Sequence, residues 1–237
     1  MDTIIGSGAD GRLRSGDGGD VLSGGAGDQR IEAGAGDDYL AGGEGNDTLA
    51  GGAGSDLLDG GYGDDASDAG EGDDFVWLFE GADRVTLGTG ADTLGIELAE
   101  TGTEDRYGIG TTVVTDFDPA EDRIALGVSG VDAAGRRVEV DPLADFLDSD
   151  GDGLLNAADE AVYGSEGGIV LDLGLALARA LGRDDLGPQT QTVRLLGVEE
   201  LDLERNVAPL GEAYGGFAAS HEDLLAAAAD AGLIGIA

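Results

Sequence analysis

Aspartates that recur every nine residues are the side chains best placed to do chemistry in this sequence. Starting at Ser15, the chain divides without a gap into nine nonapeptides that end at residue 95. The sixth residue is aspartate in all of them except one, which has Gln29. These aspartates are Asp20, Asp38, Asp47, Asp56, Asp65, Asp74, Asp83 and Asp92. Carboxylates at a fixed spacing favour the binding of hard cations, which prefer oxygen ligands.

Two other positions of the nonapeptide indicate how the chain holds these aspartates. The eighth residue is aliphatic except at Ser67: Leu22, Ile31, Leu40, Leu49, Leu58, Val76, Val85 and Leu94. The fourth residue is glycine in every unit: Gly18, Gly27, Gly36, Gly45, Gly54, Gly63, Gly72, Gly81 and Gly90. Glycine adopts positive φ at low steric cost, so the fourth position predicts a tight turn.

The aliphatic position predicts a stacked β architecture. The last three residues of each unit are long enough for a short strand, in which only the eighth side chain points inward. One inward aliphatic side chain per unit makes a thin core, so the units must stack as parallel strands about 4.8 Å apart. Two units then form one turn of a right-handed parallel β-roll, and residues 18 apart become neighbours.

This stacking predicts cation sites between the turns. It places Asp47 next to Asp65 and Asp56 next to Asp74, and these carboxylates would repel one another unless a cation lay between them. Main-chain carbonyls of the turn glycines add oxygens, and we predict such ligands at Gly18, Gly36, Gly45, Gly54, Gly63 and Gly72. An all-oxygen cage of this kind fits Ca²⁺, with several ions in the array. The composition also permits a disordered Gly/Asp-rich linker, which is the state we expect without calcium.

The pattern G-G-x-G-x-D-x-U-x resembles the repeat of the RTX (repeats-in-toxin, hemolysin-type) calcium-binding family. The resemblance covers residues 15–95 and implies a β-roll with calcium in both rows of turns. It also implies secretion through a type I ABC transporter and folding only after export. Gln29 is expected to weaken the site shared with Asp47, and Ser67 to leave a polar group in the aliphatic ladder.

The β-roll domain is predicted over residues 1–95. Residues 3–14 resemble an imperfect coil, with Asp10 and Leu13 out of step with the repeat. We therefore expect residues 1–14 to cap the N-terminal end of the roll.

A small β-rich capping domain is predicted over residues 96–210. Residues 111–127 indicate a strand, a turn and a strand, and they resemble the "DF…D.I.L" hairpin that often follows RTX repeats. Its acidic residues would serve either as further calcium ligands or as ordinary turn carboxylates: Asp116, Asp118 and Asp122. We expect this segment to cover the large side chains of the late coils: Phe75, Trp77, Leu78 and Phe79.

Residues 148–159 resemble an EF-hand calcium loop within this capping domain. The predicted ligands are Asp148, Asp150, Asp152, Leu154 through its carbonyl, Asn156 and Asp159. Gly153 stands at the sixth position, where the loop turns sharply. Position twelve is aspartate instead of glutamate, as in dockerin-type loops, and Glu160 is an alternative ligand after a register shift. The other interpretation is a solvated acidic turn.

Residues 211–237 form an acidic, arginine-free tail with an apolar end. A helix is predicted from Ser220 to about Asp230, because Ser220 can cap it and acidic residues follow in its first turn. The tail resembles a type I secretion signal. The alternative is a helix that docks on the capping domain.

The net charge of −38 over 237 residues restricts the partners. Nucleic acid and anionic membranes should repel so acidic a chain, so the expected partners are calcium ions, the export transporter and possible further copies of the chain. No apolar run approaches the ~20 residues of a membrane span, and no signal sequence opens the chain. Cysteine is absent, which excludes disulfides. We expect a secreted protein, extracellular or at the cell surface.

Sequence motifs for catalysis are missing. The only histidine is His221, and neither an HExxH zinc motif nor a G-x-S-x-G elbow occurs. Carboxylate acid–base chemistry is the remaining option, but a carboxylate bound to calcium serves poorly as a general acid or base. We predict a non-enzymatic protein with a structural, adhesive or self-assembling role. The alternative is an accessory or scaffolding module for a separate enzyme or toxin.

Overall fold

The computed structural model describes residues 2–6, 10–99, 110–131, 137–140, 147–165, 167–180 and 192–209. The predicted tail and the helix from Ser220 lie outside these residues. No helix among the described residues is long and apolar enough to span a membrane.

Short strands dominate the described residues, and eleven of them come from the first 99 residues. These are β1 (Thr3–Ile5), β2 (Gly11–Arg14), β3 (Val21–Ala26), β4 (Gln29–Ala35), β5 (Tyr39–Glu44), β6 (Thr48–Ala53), β7 (Leu57–Tyr62), β8 (Ala66–Glu71), β9 (Phe75–Leu78), β10 (Arg84–Thr89) and β11 (Thr93–Ala99). The later strands are β12 (Thr111–Val114), β13 (Arg123–Val131), β14 (Arg137–Val140), β15 (Leu154–Leu155), β16 (Val162–Ser165), β17 (Gly168–Asp172), β18 (Thr192–Leu196), β19 (Leu201–Asp202) and β20 (Val207–Pro209). The helices are α1 (Leu173–Ala180) and α2 (Leu203–Asn206).

Alternate strands enter two facing sheets of a mainly parallel β-roll. The first sheet has the order β1-β3-β5-β7-β9-β11-β13-β14, and β20 also pairs with β13. The second has the order β16-β17-β18-β12-β10-β8-β6-β4-β2. Within the repeats each strand lies parallel to the strand 18 residues on, as in the pairing of Leu40 with Leu58. This confirms the β-roll fold predicted from the repeat.

The strands are longer than the predicted three residues, and this gives the roll a second inward position. Most repeat strands have six residues and continue into the first three residues of the next unit. The eighth residue and the first residue of the next unit are two apart, so both point inward. The first position is small in the early coils but is Leu78, Leu87 and Ile96 in the late ones, all fully buried. The core therefore thickens toward the last coils.

The aliphatic ladder is nearly continuous. Its members from Leu22 to Leu94 are buried in one cluster. Ser67 occupies the ladder position between Leu49 and Val85 and is only 8% exposed, so a polar side chain does lie in the core.

The N-terminal residues keep the register of the repeat, so the expectation that Asp10 and Leu13 are out of step is wrong. Leu13 pairs with Ile31 and is buried. Asp10 accepts a hydrogen bond from the N–H of Asp28 at 3.1 Å. Both intervals are 18 residues.

The chain after the repeats continues both sheets of the roll. Strand β13 pairs in parallel with β11, and β12 pairs in parallel with β10. The intervals are now 29 or 30 residues instead of 18, because more residues separate β11 from β12 than separate the strands of the repeats. Val114, Phe117, Ile124 and Leu126 extend the core.

Aromatic side chains cover part of the outer face of the first sheet. Trp77 is buried with Ala125 of β13, and Phe75 and Phe79 pack against them. Phe79 also forms an edge-to-face contact with Tyr62, with the ring centres 4.9 Å apart. The contact with Ala125 agrees with the expected cover by the segment after the repeats, whereas Leu78 lies in the inner core.

Candidate metal centre

The sixth-position aspartates form two buried ladders inside the roll. In each ladder the backbone N–H of one aspartate donates to Oδ1 of the aspartate 18 residues later, at 2.6–3.0 Å. Row one contains Asp20, Asp38, Asp56, Asp74 and Asp92, and row two contains Asp47, Asp65 and Asp83. The structure therefore brings together all the carboxylates that the repeat predicted to be neighbours.

The second carboxylate oxygen is left for another partner. Oδ2 is buried and has no hydrogen-bond partner within the described residues at five aspartates: Asp38, Asp47, Asp56, Asp74 and Asp92. A buried ionised oxygen without a partner is costly. A cation between the coils would satisfy it, so the unpartnered oxygens are a feature of the fold that fits a metal site.

At Asp47, a main-chain carbonyl oxygen of the next coil lies near the unpartnered Oδ2. A Cβ on Gly42 would stand less than 3.0 Å from both Asp47 Oδ2 and the carbonyl oxygen of Gly60 in the next coil. The same holds for Asp56 Oδ2 at Gly51. At Gly42 and Gly51 a side chain would occupy the space between these oxygens. A carboxylate and a carbonyl are both acceptors, so their closeness favours a cation and not a shared hydrogen.

The predicted glycine ligands all adopt the left-handed turn conformation. Their φ angles lie between 101° and 136° at Gly18, Gly36, Gly45, Gly54, Gly63 and Gly72. The carbonyl oxygen of Gly63 and Oδ1 of Asp83 both lie within 3.2 Å of the place that a Cβ of Gly81 would occupy. At Gly63 the side-chain oxygen beside the Gly45 carbonyl is instead Oδ1 of Asn46. The carbonyl of Gly63 thus lies near a side-chain oxygen of the next coil, and the carbonyl of Gly45 near a side-chain oxygen of its own coil.

Two further ladders, of fifth-position side chains, were missed by the sequence analysis. Here the N–H donates in the opposite direction, to the side-chain oxygen of the residue 18 positions earlier, at 2.8–3.1 Å. The acceptors are Asp10, Asp28, Asp37, Asn46, Asp64 and Asp73. These contacts are exposed and stabilise the outer edge of each turn. The frequent Asp or Asn before the sixth-position aspartate was the available signal.

Row two ends at a neutral residue on each side. At one end the N–H of Gln29 donates to Asp47 Oδ1 at 2.7 Å. Gln29 Oε1 lies beside Gly24, the place that Oδ2 takes at Asp47. Gln29 therefore keeps an oxygen in the row but removes one negative charge, and the weaker site shared with Asp47 stays a prediction. At the other end the buried Thr112 follows Asp83 in register.

Burial raises the pKa of the row carboxyls from Asp38 to Asp92 in the metal-free roll, whereas backbone hydrogen bonding lowers that of Asp20. The pKa of Asp56, Asp65 and Asp92 is raised to about 7, and that of Asp74 and Asp83 to about 6, chiefly by desolvation. Hydrogen bonds from backbone N–H groups act in the opposite direction, and neighbouring carboxylates add to the rise at Asp56. Without a cation the fold therefore opposes ionisation of these groups.

The loop at residues 148–159 brings the first three predicted ligands together, and its binding of calcium stays a prediction. Ligand oxygens of Asp148, Asp150 and Asp152 lie within 4.8 Å of one another. Asp148 accepts hydrogen bonds from the N–H groups of Gly151 and Gly153 at 2.6 and 3.0 Å. Both glycines have positive φ, which the sharp turn requires.

The remaining predicted ligands close the same loop. The buried Asp159 accepts from the N–H of Ser149 at 2.6 Å and from that of Asn156 at 3.0 Å. Leu154 lies in β15, which pairs with β19. Glu160 instead forms an ion pair with Arg179, which disfavours it as the alternative ligand.

Comparison with known proteins identifies the repeats. A family model described as the RTX calcium-binding nonapeptide repeat (4 copies) matches residues 5–40, 14–49, 23–58, 41–76 and 59–94. Residues 5–94 are RTX calcium-binding repeats. RTX repeats bind calcium, and the acidic rows of this roll fit several Ca²⁺ ions.

Whole-chain likenesses are weak. No curated protein matches the sequence significantly. The solution structure of the AlgE6R3 subunit of the Azotobacter vinelandii mannuronan C5-epimerase is 24% identical, with a TM-score of 0.35, and the match covers 86% of this chain and 81% of that one. The crystal structure of extracellular lipase LipA from Serratia marcescens is 14% identical, with a TM-score of 0.27, and the match covers 88% of this chain. The chain spans 40% of that lipase. Scores this low support no functional inference.

Proposed function

We propose that this RTX protein is a non-catalytic, secreted calcium binder whose roll folds when calcium fills its two rows of aspartates. The observation that carries the proposal is the set of buried Oδ2 atoms without partners within the described residues. Five of them repeat along the roll, which suits an array of ions and not a single site.

The stability that calcium supplies is large enough to control folding. A site with a Kd near 0.1 mM, in roughly 1 mM extracellular calcium, contributes about 1.4 kcal/mol by mass action. The repeats contain six pairs of stacked carboxylates. Together such sites would add about 8 kcal/mol, comparable to the total stability of an ordinary domain.

Because calcium supplies so much of the stability, the estimate also supports export as an unfolded chain. In the cytosol calcium is scarce, so repulsion between the carboxylates favours the unfolded state. RTX repeat proteins are typically secreted. We infer that the chain leaves through a type I ABC transporter and that residues 211–237 carry the signal.

Deleting residues 211–237 from a tagged chain in the native cell should retain it inside. Appearance in the medium at the full-length level would rule the signal out.

The extracellular role that fits best is structural, adhesive or self-assembling. Histidine does not occur in the described residues, since His221 lies outside them. Sedimentation velocity with and without calcium separates this role from the accessory one. Concentration-dependent assembly in calcium supports the structural role, whereas a monomer that binds one saturable protein partner favours an accessory module.

A second calcium centre at residues 148–159 belongs to the same proposal. Asp148→Asn removes one oxygen that accepts a loop N–H and one charge from the cluster. We expect the protein to bind one ion fewer by native mass spectrometry, while the far-UV spectrum of the roll keeps its calcium dependence. Glu160→Gln, at the adjacent exposed ion pair, is the matched control and should bind the wild-type number.

A further inference from the structure

We propose that row one continues one coil beyond the RTX repeats and forms a further calcium site between Asp92 and Asp122. This inference rests on the proposed function, because it assigns an additional ion to the same row. Asp122 lies outside the residues matched by the repeat family, and its distance of 30 residues from Asp92 hides the continuation in the sequence.

The backbone around Asp122 reproduces the geometry of the repeats. The N–H of Asp92 donates to Asp122 Oδ1 at 3.0 Å, as the N–H of Asp74 donates to Asp92 Oδ1 at 2.9 Å. The N–H of Arg123 donates to the Asp92 carbonyl at 2.9 Å, and the N–H of Thr93 to the Asp74 carbonyl at 2.8 Å. Asp122 therefore occupies the sixth position of another coil.

An unpartnered oxygen marks the interval between Asp92 and Asp122. Asp92 is 1% exposed, and its Oδ2 has no hydrogen-bond partner within the described residues. At Asp47, Oδ2 lies beside a carbonyl oxygen of the next coil. Asp92 has Leu87 where Asp47 has Gly42, and its next coil contributes the carboxylate of Asp122, which is 3% exposed and accepts the Asp92 N–H. Two buried carboxylates from adjacent coils again require a cation to offset their repulsion.

The turn before Asp122 replaces the glycine turn of a repeat by other contacts. Asp122 Oδ2 accepts from the N–H of Asp118 at 2.8 Å, which fixes the carboxylate and leaves it further lone pairs for an ion. The buried Asn206 donates to the carbonyls of Pro119 and Asp122, both at 2.9 Å. A residue 84 positions away thus holds the turn that a glycine pattern holds in the repeats.

The two rows are consequently unequal. In the same added coil, row two receives the hydroxyl of Thr112 where row one receives the carboxylate of Asp122. Within the described residues, the added coil supplies an ionic ligand to row one and a hydroxyl to row two. This difference predicts one ion more than the repeats alone would hold.

Counting ions in single variants of the full chain tests this site. Native mass spectrometry in saturating calcium should show one Ca²⁺ fewer for Asp122→Asn than for the wild type. Asp68→Asn, which removes a charge from the exposed face of β8, is the control and should keep the wild-type number. Hydrogen exchange of residues 123–126, measured in parallel, reports whether the added coil stays folded.

Each result decides a different question. Loss of one ion with protection retained supports the site. The wild-type number of ions in Asp122→Asn overturns it and leaves Asp122 as a structural end of the row. If both the ion and the protection are lost, recovery of protection at higher calcium supports the site, and calcium-independent loss overturns it. A wild-type protein that binds no calcium refutes the proposed function itself.

Discussion

At the scale of single residues, each row aspartate performs two tasks with its two oxygens. Oδ1 accepts the N–H of the preceding coil and sets the position of the side chain. Oδ2 is buried and has no partner within the described residues at Asp38, Asp47, Asp56, Asp74 and Asp92, where it is available to a cation. Asparagine can replace the first task but not the charge of the second, so Asp→Asn variants separate folding geometry from metal binding.

Asp56→Asn should have opposite effects with and without calcium. Asp56 stands between Asp38 and Asp74 in row one, so its loss weakens two adjacent sites. In saturating calcium we expect a loss of about 1–3 kcal/mol, the contribution of one or two sites. In calcium-free buffer the variant should be no less stable, because it removes a buried uncompensated charge.

Urea unfolding of Asp56→Asn in saturating calcium, and again at calcium concentrations lowered stepwise toward the folding midpoint, measures both effects, with Asp68→Asn as the control. A destabilisation that is the same at every calcium concentration would mean that Asp56 contributes only packing and hydrogen bonding.

The calcium-free protein should gain stability on acidification. The folded pKa of Asp56, Asp65 and Asp92 is about 7, above the ordinary value of 3.8 that the unfolded chain keeps. Protonation therefore favours the folded state, so this stability is fully present below about pH 4 and is lost as the pH rises through 7. Far-UV circular dichroism of calcium-stripped protein at pH 7.5 and pH 5 measures the change as a gain of β structure. Less β structure at pH 5 than at pH 7.5 would contradict the burial of these carboxyls.

At the scale of elements, glycines set the distance between coils. Gly52 has a φ of 122°, and a Cβ there would lie less than 3.0 Å from the Gly34 carbonyl of the preceding coil. A side chain at this position opposes both the turn and the stacking. The glycines are thus needed for the close approach of backbone to backbone as much as for the turn itself.

Gly52→Ala should destabilise the calcium-bound roll by about 1–3 kcal/mol through overpacking alone, with a further cost for the positive φ. Gly16→Ala is the matched control, because Gly16 has the same position in its unit and its Cβ would meet nothing within 4 Å. Thermal unfolding in calcium compares the two variants. Equal melting temperatures would show that the coils adjust their spacing freely.

The sequence predicted those elements in which a recurring side chain marks the repeat. It did not predict the elements in which no side chain recurs at the repeat spacing. Leu40 and Leu58 revealed the ladder and its 18-residue register. The second inward position was hidden because glycine often occupies it until Leu78 and Leu87. Asp122 was hidden by the residues between the strands, which break the spacing, although tertiary pairing with Asp92 restores the register.

At the scale of the whole molecule, the charge of −38 leads us to predict that calcium determines how compact the chain is. The roll has a thin core, and its buried rows of like charge oppose folding unless cations are present. Small-angle scattering should therefore show a radius of gyration near 50 Å without calcium, falling toward about 20 Å with it. A compact calcium-free protein at neutral pH would show that the core alone overcomes the repulsion.

The most direct test of calcium-dependent folding is a calcium titration followed by far-UV circular dichroism, with magnesium as the control. We expect a cooperative change from coil to β structure at sub-millimolar to millimolar calcium. Magnesium should not reproduce it, because Mg²⁺ requires a stricter octahedral site and dehydrates reluctantly. A spectrum that is already β-rich in chelator and unchanged by calcium would contradict the central claim that these aspartates fold the roll by binding calcium.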